Sequence, residues 1–78
     1  MSDAALTPPC RKALALIRAS GHVIVDASLP TDDLLLLAAA AAQWGASLTV
    51  RHAHLRDEAE LEEIAVAGRG HVTFDLGE

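Results

Sequence analysis

The side chains best suited to chemistry in this chain are its four histidines and the aspartates that accompany them. His52 and His54 are separated by one residue, and this spacing places two side chains on the same side of an extended segment. Imidazole and carboxylate groups are common zinc ligands. The spacing therefore makes His52 and His54 candidate metal ligands, although solvated surface histidines are the favoured interpretation. Further side chains of a suitable type are His22, His71, Asp26 and Asp75.

No motif of nucleophilic catalysis accompanies these residues. Ser20, Ser28 and Ser47 lie in no nucleophile elbow. The segment Gly68-Arg69-Gly70 is a tight connection rather than a phosphate loop, because no helix is predicted to begin after it. Cys10 is the only cysteine, so no internal disulfide can form, and a small buried residue is favoured over a reactive thiol. We expect a protein that is not an enzyme and needs no cofactor.

The charge and length of the chain exclude several classes of partner. Its 78 residues include only six Lys and Arg, and the net charge is -5. Nucleic-acid binding depends on clustered basic side chains, and anionic membrane surfaces repel an acidic protein. The longest uncharged apolar run, residues 34–42, is far shorter than the ~20 residues that span a bilayer. Without a signal-peptide pattern at the start, the sequence predicts a cytoplasmic protein.

A repeat indicates how the chain folds. The hexapeptide Gly21-His22-Val23-Ile24-Val25-Asp26 returns as Gly70-His71-Val72-Thr73-Phe74-Asp75, and Ser47 to Arg51 has the same alternation of apolar and polar residues. Alternation with β-branched residues is typical of strands. We therefore predict strands over 22–27, 47–52 and 71–76, with their valine, leucine and phenylalanine side chains facing the core.

The segments between these strands have the signals of helices. Residues 8–20 place Cys10, Ala13, Leu14 and Ile17 on one face, after a Thr7-Pro8 start. Helices are also predicted over 32–44, with Thr31 as the N-cap, and over 58–67, with a capping box of Asp57 and Glu60. Residues 1–6 are predicted to be a loose tail before a single domain of residues 7–78.

The predicted order α-β-α-β-α-β implies a parallel sheet with right-handed helical crossovers. In the strand order 1-2-3, Arg51 lies between Asp26 and Asp75, whereas pairing strand 1 with strand 3 places the two aspartates side by side. Like charges on neighbouring strands are unfavourable. We therefore predict a two-layer α/β fold with sheet order 1-2-3 and all helices on one face.

Residues 21–76 resemble a degenerate leucine-rich-repeat protein. Leu48-x-Val50-x-x-Ala53-x-Leu55 follows the strand-and-turn spacing of that family, with Ala53 in place of the family's asparagine. The resemblance implies a right-handed solenoid of β-α units that recognises proteins with its exposed sheet face. The positions of that face are His22, Ile24, Asp26, Thr49, Arg51, His71, Thr73 and Asp75.

A second resemblance is to a truncated STAS domain of the anti-sigma-factor antagonists. It rests on residues 44–50 and on Ile64-Ala65-Val66-Ala67-Gly68 followed by Val72-Thr73-Phe74. The family's regulatory phosphorylation maps to Thr31 here, although Asp32 and Asp33 follow it, and a plain helix cap is the favoured interpretation.

The sequence thus favours a small α/β protein–protein interaction module. It would bind an unknown protein partner, or itself as a homodimer or other oligomer, through the open sheet face or the exposed edge of strand 3. Metal binding or sensing by surface histidines and a STAS-like regulatory switch are the alternative functions.

Overall fold

The computed structural model describes residues 8–77, in which helices and strands alternate along the chain. Its elements are α1 (Pro8–Arg18), β1 (His22–Asp26), α2 (Thr31–Trp44), β2 (Ser47–Arg51), a 3-10 turn (Ala53–Leu55), α3 (Glu58–Gly68) and β3 (Val72–Phe74). The predicted loose tail at residues 1–6 and the Thr7 cap lie outside the described residues.

The three strands form one parallel sheet in the order β1-β2-β3. Val25 lies beside Val50, which lies beside Phe74, and Asp26 lies beside Arg51. The predicted α/β class, the parallel pairing and the strand order are therefore confirmed. The sheet is open, with β1 and β3 as its two edges.

The core lies between the sheet and the three helices. The face predicted for α1 is confirmed, since Cys10, Ala13, Leu14 and Ile17 are buried. The inward positions of β1 and β2 are buried as well, and α2 lies against β2 with α1 and α3 on its two sides. A helix that is apolar around most of its circumference needs such cover. This accounts for the long leucine and alanine run of α2.

The ends of α1 and β3 differ by two residues from the sequence prediction, and the other element ends lie within one residue of it. Helix α1 ends at Arg18 rather than near residue 20, because Ser20 adopts a left-handed conformation with φ 62° and the Gly21 N–H bonds to the Leu16 carbonyl at 2.9 Å. Strand β3 covers only residues 72–74, and Leu76, predicted to face inward, is 56% exposed. The Asp75 carboxylate accepts the Gly77 N–H at 2.8 Å, and this local turn ends the strand.

The two predicted side-chain caps are absent. Thr31 is the first residue of α2 rather than its cap, Pro30 occupies the cap position, and neither α2 nor α3 has a side-chain cap hydrogen bond. Asp57 is the cap residue of α3, but Glu60 does not complete a capping box. The polar atoms of Thr31 and Glu60 bind the guanidinium of Arg56 instead, because a charged donor forms stronger hydrogen bonds than a helix amide.

Candidate binding face and carboxyl edge

Within residues 8–77, one face of the sheet has no layer of helices over it, and we call it the open face. Because successive side chains of a strand point to opposite sides, the neighbours of the buried core residues lie on this face. It contains every position predicted to bind a partner. Of these, His22, Ile24, Asp26, Arg51, Thr73 and Asp75 are exposed, and Thr49 and His71 are half-buried.

The register arranges the open face in three rows that run across the strands. The amino-terminal row consists of His22, Ser47 and His71, the middle row of Ile24, Thr49 and Thr73, and the carboxyl-terminal row of Asp26, Arg51 and Asp75. Ile24 is 65% exposed at the centre of β1. The face therefore has histidines at one end, acidic groups around one arginine at the other, and an exposed apolar side chain between them.

The Asp26 carboxylate at the end of β1 bonds to a residue that follows β2. Its Oδ2 lies 2.9 Å from Nδ1 of His52, and its Oδ1 accepts the backbone N–H of Ser28 at 2.8 Å. The Ser28 amide and the His52 ring together lower the pKa of Asp26 from 3.8 to about 2. When the Nδ1–H of His52 donates to this carboxylate, Nε2 is the nitrogen left to accept a proton or a metal ion. Arg51 is the strand neighbour of Asp26, but His52 is its side-chain partner.

The His52-Ala53-His54 segment is not extended, contrary to the geometry assumed from its spacing. His52 has left-handed backbone angles with φ 59°, and His54 lies within the 3-10 turn. The two rings still approach each other, with centroids 6.2 Å apart in an edge-to-face arrangement. Within residues 8–77, no group of three or more His, Cys, Asp or Glu side chains is arranged to hold a metal ion. His22 and His71 lie at the opposite end of the strands.

Replacement of His52 should raise the pKa of Asp26. In His52→Ala we expect a pKa between about 2 and the ordinary 3.8, because the Ser28 amide, the larger cause, remains. A depressed carboxyl pKa favours folding above the ordinary pKa, and this contribution disappears as the pH falls from about 4 to about 2. Titration of the Asp26 carboxyl carbon by NMR measures the change. An identical titration curve in His54→Ala is the expected control result, and an unchanged pKa in His52→Ala would contradict the assignment.

Arg56 joins the loops at the carboxyl ends of β1 and β2. Its side chain is only 15% exposed. Nε donates to the Ala27 carbonyl at 2.8 Å, Nη2 donates to the Leu29 carbonyl, and Nη1 donates to both Thr31 Oγ1 and Glu60 Oε2 at 2.6 Å. The Thr31 hydroxyl in turn donates to Glu60 at 3.1 Å. The hydroxyl predicted as a phosphorylation site is thus part of a partly buried polar network.

The role of Arg56 was not recognised from the sequence. The only local signal is its spacing of four residues from Glu60, which permits an ion pair on a helix or at its start. Its other three acceptors are on Ala27, Leu29 and Thr31, between the end of β1 and the start of α2. They lie more than twenty residues earlier in the chain. Only the packing of the two crossovers brings that loop within reach.

Cys10 is buried in the core and is not a reactive thiol. Its exposure is 0%, and burial, together with the charge of Asp33 and a hydrogen bond to it, raises its pKa to about 11. A thiol with so high a pKa stays protonated at neutral pH, whereas nucleophilic attack requires the thiolate. Cys10 therefore contributes packing rather than chemistry.

No helix within residues 8–77 combines the length and the apolar character needed to cross a bilayer. No protein-family model, curated protein or solved structure matches the chain.

Proposed function

We propose that this protein is a small, non-enzymatic protein–protein interaction module and that its partner binds the open face. One observation supports this above all others: an all-parallel sheet carries its helices on one side only. Parallel sheets are generally covered on both faces, since their crossover helices pack on each side. A partner would provide the layer that the described residues do not provide.

The composition of the open face supports a protein as the partner. Ile24 is 65% exposed in the middle row on β1, and an exposed apolar side chain among polar neighbours is typical of protein interfaces. The alternating charges of Asp26, Arg51 and Asp75 provide donors and acceptors that fix the orientation of a bound surface. The exposed edge of β3 is shorter, with three residues, and would extend the same binding region.

Photo-crosslinking in cells that produce the protein tests this proposal. A benzophenone amino acid at Thr73, exposed on the open face, should give a discrete covalent adduct with a partner. The same amino acid at Ala65, exposed on α3, serves as the matched control and should give none. The proposal is wrong if Thr73 gives no adduct, or if both positions give the same set of adducts.

Binding of a divalent transition metal ion by His52 and His54 is a second candidate function. Its support is the hydrogen bond between Nδ1 of His52 and the Asp26 carboxylate, since metal-bound histidines usually donate the N–H of their second ring nitrogen to a carboxylate. Calorimetric titration with Zn²⁺ and Cu²⁺ should then give binding that His54→Ala abolishes and His22→Ala leaves unchanged. Absence of binding heat with either ion would eliminate this function.

Phosphorylation of Thr31, implied by the STAS resemblance, has weaker support. A phosphate on Oγ1 would replace the hydrogen bond to Glu60 with repulsion between two negative groups. Asp32 and Asp33 follow directly in the first turn of α2 and add to this repulsion. The contacts of the hydroxyl favour a structural role for Thr31.

A further inference from the structure

We infer that the open face binds a second copy of this chain, with the strands of the two copies antiparallel across the interface. This inference rests on the proposed function, because it names the partner of the same face. It follows from the charge pattern of the three rows, which is complementary to itself in one orientation and not in the other.

Two arrangements with aligned strands place one open face on another by two-fold symmetry. If the axis runs along the strands, β1 of one copy lies over β3 of the other and each row faces the same row. Asp26 then faces Asp75 of the partner subunit, and Arg51 faces the same arginine of the other copy. Like charges across an interface are strongly unfavourable. This orientation is therefore unfavourable.

The axis can instead run across the strands through the middle row. Each strand then lies over the same strand of the other copy, and the two run antiparallel. The amino-terminal row then faces the carboxyl-terminal row. His22 faces Asp26 of the partner subunit, His71 faces Asp75 of the partner subunit, and both contacts occur twice by symmetry. The middle row faces itself, so that Ile24, 65% exposed, is covered by an identical side chain.

The side chains of these rows retain the capacity for such contacts. His71 is held by a bond between its Nδ1 and the Ala46 carbonyl at 2.9 Å, and its Nε2 is left for a partner. Asp75 accepts the Gly77 N–H with one oxygen. Each carboxylate oxygen has two lone pairs, so both aspartates can accept a further hydrogen bond. The charge pairs need little rearrangement of the free protein.

The small size of the face sets the strength of the association. Strands of three to five residues bury less than the ~800 Å² per partner of a standard interface. The net charge of -5 on each copy also opposes association, although ~0.15 M salt screens charges beyond roughly 8 Å. We therefore expect a weak dimer with Kd on the order of 0.1 mM.

Sedimentation equilibrium tests the inference with a charge exchange on β3. His71→Asp and Asp75→His should each weaken the dimer about tenfold, since each places like groups across the axis. The double variant His71→Asp/Asp75→His should restore the wild-type Kd within about twofold, because the pairs form again with their roles exchanged. A double variant as weak as the single variants would overturn the inference.

Cysteine crosslinking distinguishes the two orientations without altering any charge. Thr73→Cys faces itself across the transverse axis and should form a covalent dimer with a short bismaleimide. With the axis along the strands it would face Ile24 of the partner subunit instead. Glu62→Cys, exposed on α3, should remain monomeric, and the buried Cys10 is common to both variants. Failure of Thr73→Cys to crosslink would contradict the antiparallel arrangement.

The outcomes separate this inference from the proposed function. A chain that remains monomeric up to about 1 mM, about ten times the expected Kd, while photo-crosslinking from Thr73 captures a different protein, overturns the dimer and supports the binding face. A chain that gives no adduct from Thr73 overturns both.

Discussion

Replacement of Arg56 by alanine should destabilise the protein by about 3 kcal/mol. The guanidinium is 15% exposed and binds two loop carbonyls, the Thr31 hydroxyl and the Glu60 carboxylate. Removal of one partner from a largely buried charged network leaves the others without their hydrogen bonds, and such changes cost roughly 3–5 kcal/mol. We place the effect at the lower end because Glu60 is 37% exposed and can regain water.

Urea unfolding followed by circular dichroism measures this loss. Arg51→Ala is the matched control, because it removes the same charge from an exposed position on the open face, and it should change stability by no more than about 0.5 kcal/mol. Arg56→Lys keeps the charge but lacks the planar guanidinium fork. Its loss of stability should lie between those of Arg56→Ala and Arg51→Ala. If Arg56→Ala does not fold, the lysine variant still provides the test. Equal stabilities for all three variants would contradict the structural role of Arg56.

Leu37→Ala should have a comparable effect of about 3 kcal/mol. Leu37 is 0% exposed in the middle of α2, where α1, α3 and the sheet surround that helix. Truncation of a fully buried leucine removes its transfer free energy and leaves a cavity, which together cost roughly 2–5 kcal/mol. The close packing of the small helices in this fold limits how far the cavity can collapse.

The neighbouring residue Leu36 provides the control for that effect. It is partly buried at the border of the core, so Leu36→Ala should cost about 1 kcal/mol in the same unfolding experiment. A loss of stability in Leu36→Ala equal to that in Leu37→Ala would mean that α2 is rotated relative to the described packing.

The fold followed from sequence features that act locally. Alternating apolar residues in the repeated Gly-His-Val segments specify strands, and the 3.6-residue pattern of α1 specifies the buried face that the structure has. The charge of Arg51 between two aspartates was sufficient to choose the strand order, which the register confirms. In each case the residues that carry the information are close in sequence or adjacent in the sheet.

The polar contacts did not follow from the sequence, because they depend on groups far apart in the chain. Thr31 and Glu60 have the residue types of helix caps, and their local surroundings favour capping. Arg56 reaches Thr31 only because α2 and α3 pack against each other, and its charge then outcompetes the helix amides for both side chains. The bond of Asp26 to His52 rather than Arg51 has a similar origin, since the left-handed backbone of His52 turns its ring toward the end of β1.

The most direct test of the open face as the binding surface compares two matched variants. For each variant, the quantity to measure is its affinity for the partner that crosslinking recovers. Thr73→Arg and Ala65→Arg each add one positive charge at an exposed position, the first on the open face and the second on α3. We expect Thr73→Arg to weaken binding at least tenfold, because the long side chain lies where the partner packs, and Ala65→Arg to change it less than twofold. Equal affinities for the two variants would contradict binding at the open face.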